Sequence, residues 1–380
     1  MASSATVCAQ DTPTVTEEIR RAVVVDVARY AESAYSRALD SARALRAEVE
    51  SFVDSPTEAS LERCRRAWVA ARQIYGETEV LRFSSGPIDD RRIGVETYLN
   101  AWPVDESYID SVRGREGGGI VNDPENFPSL TTGLLTLANE RGGEANVCIG
   151  WHAIEFLLWG QDFNADGPGG RTVDDFVDGR TENADRRREL LQVTTALLCE
   201  HLGFVLSTWN GENESEDYRT KYLALDPSEG VRRALRGMVC LSGFELAGER
   251  MAVAFETQDQ EDEHSCFSDT TLNDLKANLR GIVQIYRGTG PGMTGHGLQT
   301  IARLVDPAGA KEIDRLMSEA TVALDELPGR FDQLILAEEG SAQSAILEHV
   351  IELLEQQAEA LAALGLTLGY EIPLVPSAGG

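Results

Sequence analysis

His152 and Glu155 are the only ionisable residues in a segment, 149–159, whose other members are apolar, aromatic or glycine. At a spacing of three they project from the same face of a helix, and a helix that is apolar nearly all round is normally buried. Burying a carboxylate is costly unless a partner or a metal compensates it. One interpretation is a core histidine bonded to a core glutamate. We favour a pair of metal ligands, with Gly150 allowing a neighbouring backbone to approach closely.

Two ligands are too few, because a transition metal takes at least four donors, counting water. Glu79 is the first candidate for a further donor, and Glu77 is an alternative on the exposed face of its helix. Glu245 and Glu249 lie four residues apart on an otherwise apolar helix, so both are expected on one side of it. The alternative to metal binding by these carboxylates is an ion pair with Arg250 or with a neighbouring arginine.

His264 and Asp269 flank Cys266 just before a predicted helix, and both are candidate ligands. For Asp269 we favour a role as the N-cap of that helix. Imidazole and carboxylate donors suit iron, zinc or manganese, so the expected cofactor is a divalent or trivalent metal. With an unperturbed pKa of about 6.5, His152 is expected to be the first ligand that acid protonates.

Arg82 precedes a loop that contains Asp90, and these two residues form a second candidate binding site. They could hold a ligand carboxylate, or the loop charges could simply pair with one another. Mutual pairing is the more common arrangement, and we favour it here.

Helical periodicity runs through the whole chain, without the alternating segments that indicate strands, so we predict an all-α fold. The first half reads as helices over 14–53, 55–82, 130–140, 147–159 and 181–209, with Ser55 capping the second and an irregular segment over 84–128. The second half reads as helices over 227–255, 272–286, 308–327 and 342–364, the first of them capped by Asp226. The acidic stretch 211–217 is the best candidate for a linker.

Internal sequence similarity predicts two four-helix-bundle-like domains, residues 12–212 and 213–380, related by duplication. Residues 61–75 match 272–286 at a constant offset, and His152-Ala-Ile-Glu155 is echoed by His349-Val-Ile-Glu352. The second copy lacks the glycine two residues before the histidine, and the sequence around it is more polar. We therefore expect His349 on a surface-exposed face.

Four separated motifs resemble the imelysin family. The strongest is Gly150-x-His152-x-x-Glu155, followed by Trp-Gly-Gln-Asp at 159–162, and the others lie at 75–90, 99–110 and 242–269. That family includes iron-regulated bacterial proteins and is classified among metallopeptidases. The resemblance implies an exported metal-binding protein of iron acquisition, with a membrane-bound iron-uptake component as its partner.

The peptidase activity that the resemblance implies fits the residues less well. A zinc peptidase needs clustered ligands and a general base beside an open coordination position. Neither HExxH nor HxxEH occurs, since Phe156 follows Glu155. Metal binding therefore ranks first, with iron ahead of zinc. A metallopeptidase using the same residues ranks second, and a module that binds a peptide or saccharide between two helical bundles ranks third.

Composition limits the partners and the compartment. The net charge of −29 argues against nucleic acid and anionic membranes as partners. No apolar stretch reaches the length of a membrane span, so no transmembrane segment is expected. Residues 1–11 lack the features of a signal peptide, and the implied export would place this sequence near a mature terminus, in the periplasm or another extracytoplasmic compartment. Disulfide pairing stays open among six separated cysteines: Cys8, Cys64, Cys148, Cys199, Cys240 and Cys266.

Overall fold

The computed structural model describes residues 15–90, 92, 94–212 and 217–376, and this part of the chain contains no β-strand. The prediction of an all-α fold is confirmed. The α-helices are α1 Glu17–Asp54, α2 Glu58–Gly76, α3 Val95–Leu99, α4 Glu106–Ile109, α5 Thr132–Ala138, α6 Trp151–Trp159, α7 Ala184–Asn210, α8 Tyr218–Leu223, α9 Pro227–Val239, α10 Val253–Thr257, α11 Thr271–Arg287, α12 Leu298–Val305, α13 Pro307–Glu326, α14 Phe331–Ile335 and α15 Ala342–Thr367. Short 3₁₀ helices cover Glu77–Leu81, Pro87–Asp89, Ile120–Asn122, Val173–Phe176 and Gln260–Asp262, and Cys240–Ala252 is a π-helix.

The long helix α1 organises the first half. The side chain of Thr16 accepts a hydrogen bond from the backbone N–H of Ile19, which caps the helix, and Glu17 and Glu18 suit the positive end of its dipole. Valine, alanine and tyrosine side chains at helical spacing form a buried stripe that packs against α2, α7 and α9. Burial of this stripe rather than helix propensity holds α1 in place.

Helix α2 begins two residues later than its cap signal predicted. Thr57, not Ser55, is the N-cap, and it exchanges hydrogen bonds with Ser60 in a capping box. The α-helix ends at Gly76, and the chain continues as the 3₁₀ helix Glu77–Leu81. The Asp226 cap is confirmed, since its side chain accepts from the N–H of Ser228 and Pro227 opens α9.

Buried residues of both halves form one continuous core. Within it α11 packs on α2 and on the 3₁₀ helix Glu77–Leu81, while α15 packs on α9, α13 and the π-helix. The boundary between residues 212 and 213 and the internal duplication both stay predictions. His349 is exposed on α15, as expected.

Among the described residues, one helix meets the length and apolarity of a membrane span, contrary to the expectation that none would. This helix is α7, and half of its most apolar 18-residue stretch is buried in the protein. Polar residues interrupt its apolar run at Thr194, Glu200 and His201, so the sequence did not indicate a stretch of this length. The helix packs along α1 and α6, and the core helix of a folded protein meets the same two criteria.

Candidate functional site

Gly150 fixes the start of α6, the helix that carries His152 and Glu155. Its φ of 88° is a conformation that other residues rarely adopt. A Cβ atom at this position would lie 2.6 Å from the carbonyl oxygen of Leu99. The prediction that this glycine admits a neighbouring backbone is confirmed. Every residue of α6 is buried, as its all-round apolarity predicted.

His152 and Glu155 form a buried pair. Nδ1 of His152 lies 3.0 Å from Oε2 of Glu155, and the two side chains are 1% and 0% exposed. The other carboxyl oxygen accepts hydrogen bonds from the backbone N–H (3.0 Å) and the hydroxyl (2.7 Å) of Ser268. Ser268 comes from the second half of the sequence, so the pair lies where the two halves meet. The contact required by the first interpretation, a core histidine bonded to a core glutamate, is therefore present.

His264 packs edge-on against His152, with 4.8 Å between the ring centroids. Its Nδ1 lies 2.9 Å from Oδ2 of Asp274, an oxygen that also accepts from the hydroxyl of Ser265 at 2.6 Å. Asp274 thus orients the second imidazole much as Glu155 orients the first. The structure brings together three of the predicted site residues: His152, Glu155 and His264.

Arg72 lies fully buried in the middle of this cluster. Its Nη1 donates to Oδ1 of Asn100 at 2.5 Å, and its Nε lies 3.3 Å from Oδ1 of Asp274. Its Nη2 lies 3.2 Å from Nε2 of His264. Both ring nitrogens of His264 therefore have partners. By contrast, Nε2 of His152 is buried and has no hydrogen-bond partner among the described residues.

A second group of buried charges adjoins the first and contains Glu79 and Glu245. Nη2 of Arg250 donates to Glu79 at 2.5 Å and to Glu245 at 2.7 Å. Arg82 adds a bond to Glu245 at 3.0 Å and lies 3.4 Å from Glu96. The predicted alternative for Glu245, an ion pair with Arg250, is present. Glu79 keeps one oxygen without a hydrogen bond, 3.9 Å from Nη2 of Arg72.

Glu249 lies outside this group. In the π-helix Cys240–Ala252 the hydrogen bonds span five residues, so Arg250 lies one turn from Glu245. Glu249 is exposed. The expectation that Glu245 and Glu249 share one side of a regular helix is wrong, because the sequence gives no sign of the wider turn.

Asp269 does not cap α11, because the N-cap residue is Thr270 and Asp269 has a φ of 56°. Its Oδ2 lies 2.9 Å from Nε of Arg330, which also bonds Asp332. The expectation of a cap is wrong, and Asp269 belongs to a separate acidic cluster. Burial, followed by the charge of Asp332, raises the pKa of Asp269 to about 7.

Arg82 and Asp90 do not meet in one binding site. Asp90 pairs with Arg92 (2.6 Å) in the loop, while Arg82 turns inward to Glu245. Mutual pairing of the loop charges, the favoured interpretation, is what the structure shows for Asp90. Glu77, expected on an exposed face, is buried at 5% exposure.

Burial changes the acid–base behaviour of the central pair. The pKa of His152 is lowered well below its usual value by burial and then by the charge of Arg72, so the ring stays neutral in mild acid. Burial raises the pKa of Glu155 to about 8, against the opposing hydrogen bonds from Ser268. Burial would likewise raise the pKa of Glu245, but Arg82 and Arg250 hold it at about 2. The expectation that His152 is the first group protonated by acid is wrong, because burial overrides its unperturbed value.

Arg72, Asn100 and Asp274 link the central residues but were not predicted from the sequence. A signal was available for two of them. Arg72 falls on the buried stripe of α2 that Cys64 and Trp68 define, and Asp274 falls on the buried face of α11. A charged residue at an apolar helical position is costly unless paired, so it indicates a buried network.

No group of three His, Cys, Asp or Glu side chains in the described ranges is placed to hold a metal ion. The cysteines Cys64, Cys148, Cys199, Cys240 and Cys266 are buried and free, while Cys8 lies outside the described residues. The site as built is a pair of imidazoles oriented by carboxylates, with one ring nitrogen left unpaired.

The sequence model of the family described as imelysin, peptidase M75, matches residues 31–361. The chain belongs to the imelysin family. It is 27% identical over 322 residues to Iron-regulated protein A of Synechococcus elongatus, covering 81% of this chain and 77% of that protein.

Two crystal structures share the imelysin fold of this chain. One, from Parabacteroides distasonis, is described as an iron-regulated protein A precursor. It superposes with a TM-score of 0.74 at 15% identity, over 94% of this chain and 97% of that one. The other is an imelysin-like protein from Psychrobacter arcticum, with a TM-score of 0.67 at 14% identity over 96% and 100% of the two chains. At these identities the likeness concerns the fold alone.

Proposed function

We propose that this imelysin-family protein binds a transition-metal ion at His152, with iron as the first candidate and zinc as the second, and that it serves iron acquisition. The observation that carries the proposal is the buried Nε2 of His152, which has no partner in the described part of the chain. Leaving such a group unsatisfied costs about 1–3 kcal/mol, and an ion or a water would remove that cost.

The surroundings of His152 suit a metal ligand. Metal-binding histidines commonly use their other ring nitrogen to bond a carboxylate, which fixes the tautomer. Glu155 provides that partner at Nδ1, and Ser268 holds the carboxylate from its other side. When Glu155 is ionised, Nδ1–H donates to it and the lone pair of Nε2 is left for a cation.

The charge balance of the buried network also favours a cation. Four carboxyl groups of this network contact the three guanidinium groups of Arg72, Arg82 and Arg250; they belong to Glu79, Glu96, Glu245 and Asp274. The fifth carboxyl group, that of Glu155, bonds His152 and Ser268 instead of an arginine. If all are ionised, two negative charges stay uncompensated. Either protons or a divalent cation can neutralise them, so metal binding should release a proton. The raised pKa of Glu155 makes it the group that releases it.

Such a metal would take its remaining donors from water or from small ligands that it brings, because the described residues offer no cluster of three donors. His264 and Glu79, two of the predicted ligands, are the further candidates, and each would have to give up a contact with an arginine. Both imidazoles are 2% exposed or less, so the ion can reach them only after a local movement of the packed segments.

The proposed physiological role is supported by similarity to related proteins. The similarity to Iron-regulated protein A of Synechococcus elongatus supports a role in iron metabolism. Membership in the imelysin family supports a periplasmic or otherwise extracytoplasmic location, with a membrane-bound iron-uptake component as the partner that receives the metal.

Elemental analysis tests the metal proposal. The purified protein is stripped with a chelator, incubated with Fe²⁺ without oxygen or with Zn²⁺, desalted and analysed. We expect bound metal in the wild type and its loss in His152→Ala. Equal metal in both proteins would refute the site. A casein-cleavage assay on the same pair examines the metallopeptidase alternative, which requires activity that His152→Ala abolishes.

A further inference from the structure

A second site lies on the surface, in a cavity of about 670 Å³ where α1, α2 and α11 meet the end of α6. Four arginines line it: Arg37, Arg65, Arg66 and Arg280. The chain has 34 basic against 63 acidic residues, so this concentration of cations runs against its overall charge. Glu62 and Glu77 are the acidic groups of the lining, which leaves an excess of two positive charges.

Glu77 organises two of these arginines. Its carboxylate is 6% exposed and accepts from Nη1 of Arg37 at 2.8 Å and from Nη1 of Arg280 at 3.1 Å, one oxygen to each. The two arginine side chains, 45% and 48% exposed, are thereby held at the two oxygens of one carboxylate. Each keeps its Nε and Nη2 donors without a bond to the described residues, available to a bound anion.

Arg65 adds a positive charge that no carboxylate within 4 Å offsets among the described residues. Its Nε and Nη2 donate to the carbonyl oxygen of Leu158 (3.1 and 2.9 Å), and Nη2 also donates to that of Arg171 (2.6 Å). The guanidinium group lies 5.7 Å from the ring centroid of Trp159. Carbonyl dipoles orient this arginine without neutralising it, so the cavity keeps a positive potential.

Apart from Gln73, the rest of the lining is apolar and includes Val69, Ile74 and Trp159, which form the apolar floor of the cavity. An inorganic anion would leave these side chains without contact, whereas an organic anion could cover them with its carbon skeleton. Guanidinium groups bind carboxylates through paired N–H donors. We infer that this cavity binds a small organic polycarboxylate, clamped between Arg37 and Arg280 over the apolar floor. This site is independent of the buried site at His152.

Calorimetric titration of the metal-free protein with citrate tests the inference. We expect saturable binding with one molecule per chain that weakens as sodium chloride is added. The double variant Arg37→Gln/Arg280→Gln should bind at least about tenfold more weakly, since each charged hydrogen bond contributes roughly that factor or more. Arg63→Gln is the matched control, because Arg63 lies on α2, a helix that lines the cavity, but pairs with Glu48 and does not itself line the cavity.

Three outcomes would overturn the inference. The first is the absence of citrate binding at millimolar concentration in wild-type protein with an intact circular dichroism spectrum. The second is equal affinity in the wild type and the double variant. The third is binding of inorganic phosphate as tight as that of citrate, which would show that charge alone, without the apolar floor, selects the ligand.

Discussion

Replacing Gly150 with alanine should destabilise the protein by about 2–6 kcal/mol, from backbone strain of about 1–3 and overpacking of about 1–3 kcal/mol. The strain arises because φ is 88° and ψ is −171°, a region that is essentially restricted to glycine. The overpacking arises because the new Cβ would lie 2.6 Å from the oxygen and 2.9 Å from the carbon of the Leu99 carbonyl. Both atoms are backbone and cannot rotate away.

Gly179→Ala is the matched control. Gly179 also has a positive φ, 78°, but a Cβ there would meet nothing within 4 Å. Only the conformational penalty of about 1–2 kcal/mol applies to it. Urea unfolding followed by circular dichroism compares the midpoints of the two variants with the wild type. Equal destabilisation by both substitutions would refute the claim that close packing against Leu99 is what requires glycine before the His152 helix.

Two further predictions concern buried charge. Burial chiefly raises the pKa of Glu263 to about 9 and that of Asp269 to about 7, so above the normal pKa of histidine the folded protein binds more protons than the unfolded chain. Its thermal midpoint should therefore fall as the pH rises from about 7 to 9, and an unchanged or rising midpoint would contradict this. Arg72→Leu should lower the free energy of unfolding by about 3–5 kcal/mol, because it leaves the buried carboxylate of Asp274 without a cationic partner, whereas Arg63→Leu at an exposed pair should lower it by about 0–1 kcal/mol. Similar losses in urea midpoint for the two variants would show that the buried pair is unimportant.

Local sequence signals predicted the helices well. Long apolar stripes and caps identified α1, α13 and α15, and the start of α9, to within a few residues, because burial and capping act over neighbouring positions. The short helices α8, α12 and α14 were not predicted, because five to eight residues make too few turns to show the helical period of apolar residues. The π-helix was not predicted either, and with it the separation of Glu249 from Glu245 was missed.

The site was only partly predictable for a different reason. The apolar surroundings of His152 and Glu155 indicated their burial and mutual contact from eleven consecutive residues. The positions of Arg72 and Asp274 depend on the docking of α2 against α11, which lie about two hundred residues apart in the chain. No local pattern reports such a contact. The pKa shifts depend on the same packing, so they too could not be read from residue type.

Titration of Fe²⁺ and Zn²⁺ into the wild type, His152→Ala, Glu155→Gln and His349→Ala tests the central claim most directly. His349 is the matched control, because it begins the echoed His-x-x-Glu sequence but is exposed. We expect binding to be lost in His152→Ala and weakened about 10–100-fold in Glu155→Gln, as for other residues that orient a metal ligand, and to be unchanged in His349→Ala. Wild-type affinity in both His152→Ala and Glu155→Gln, with the helical signal intact, would show that the pair is a structural element of the core and would contradict the account.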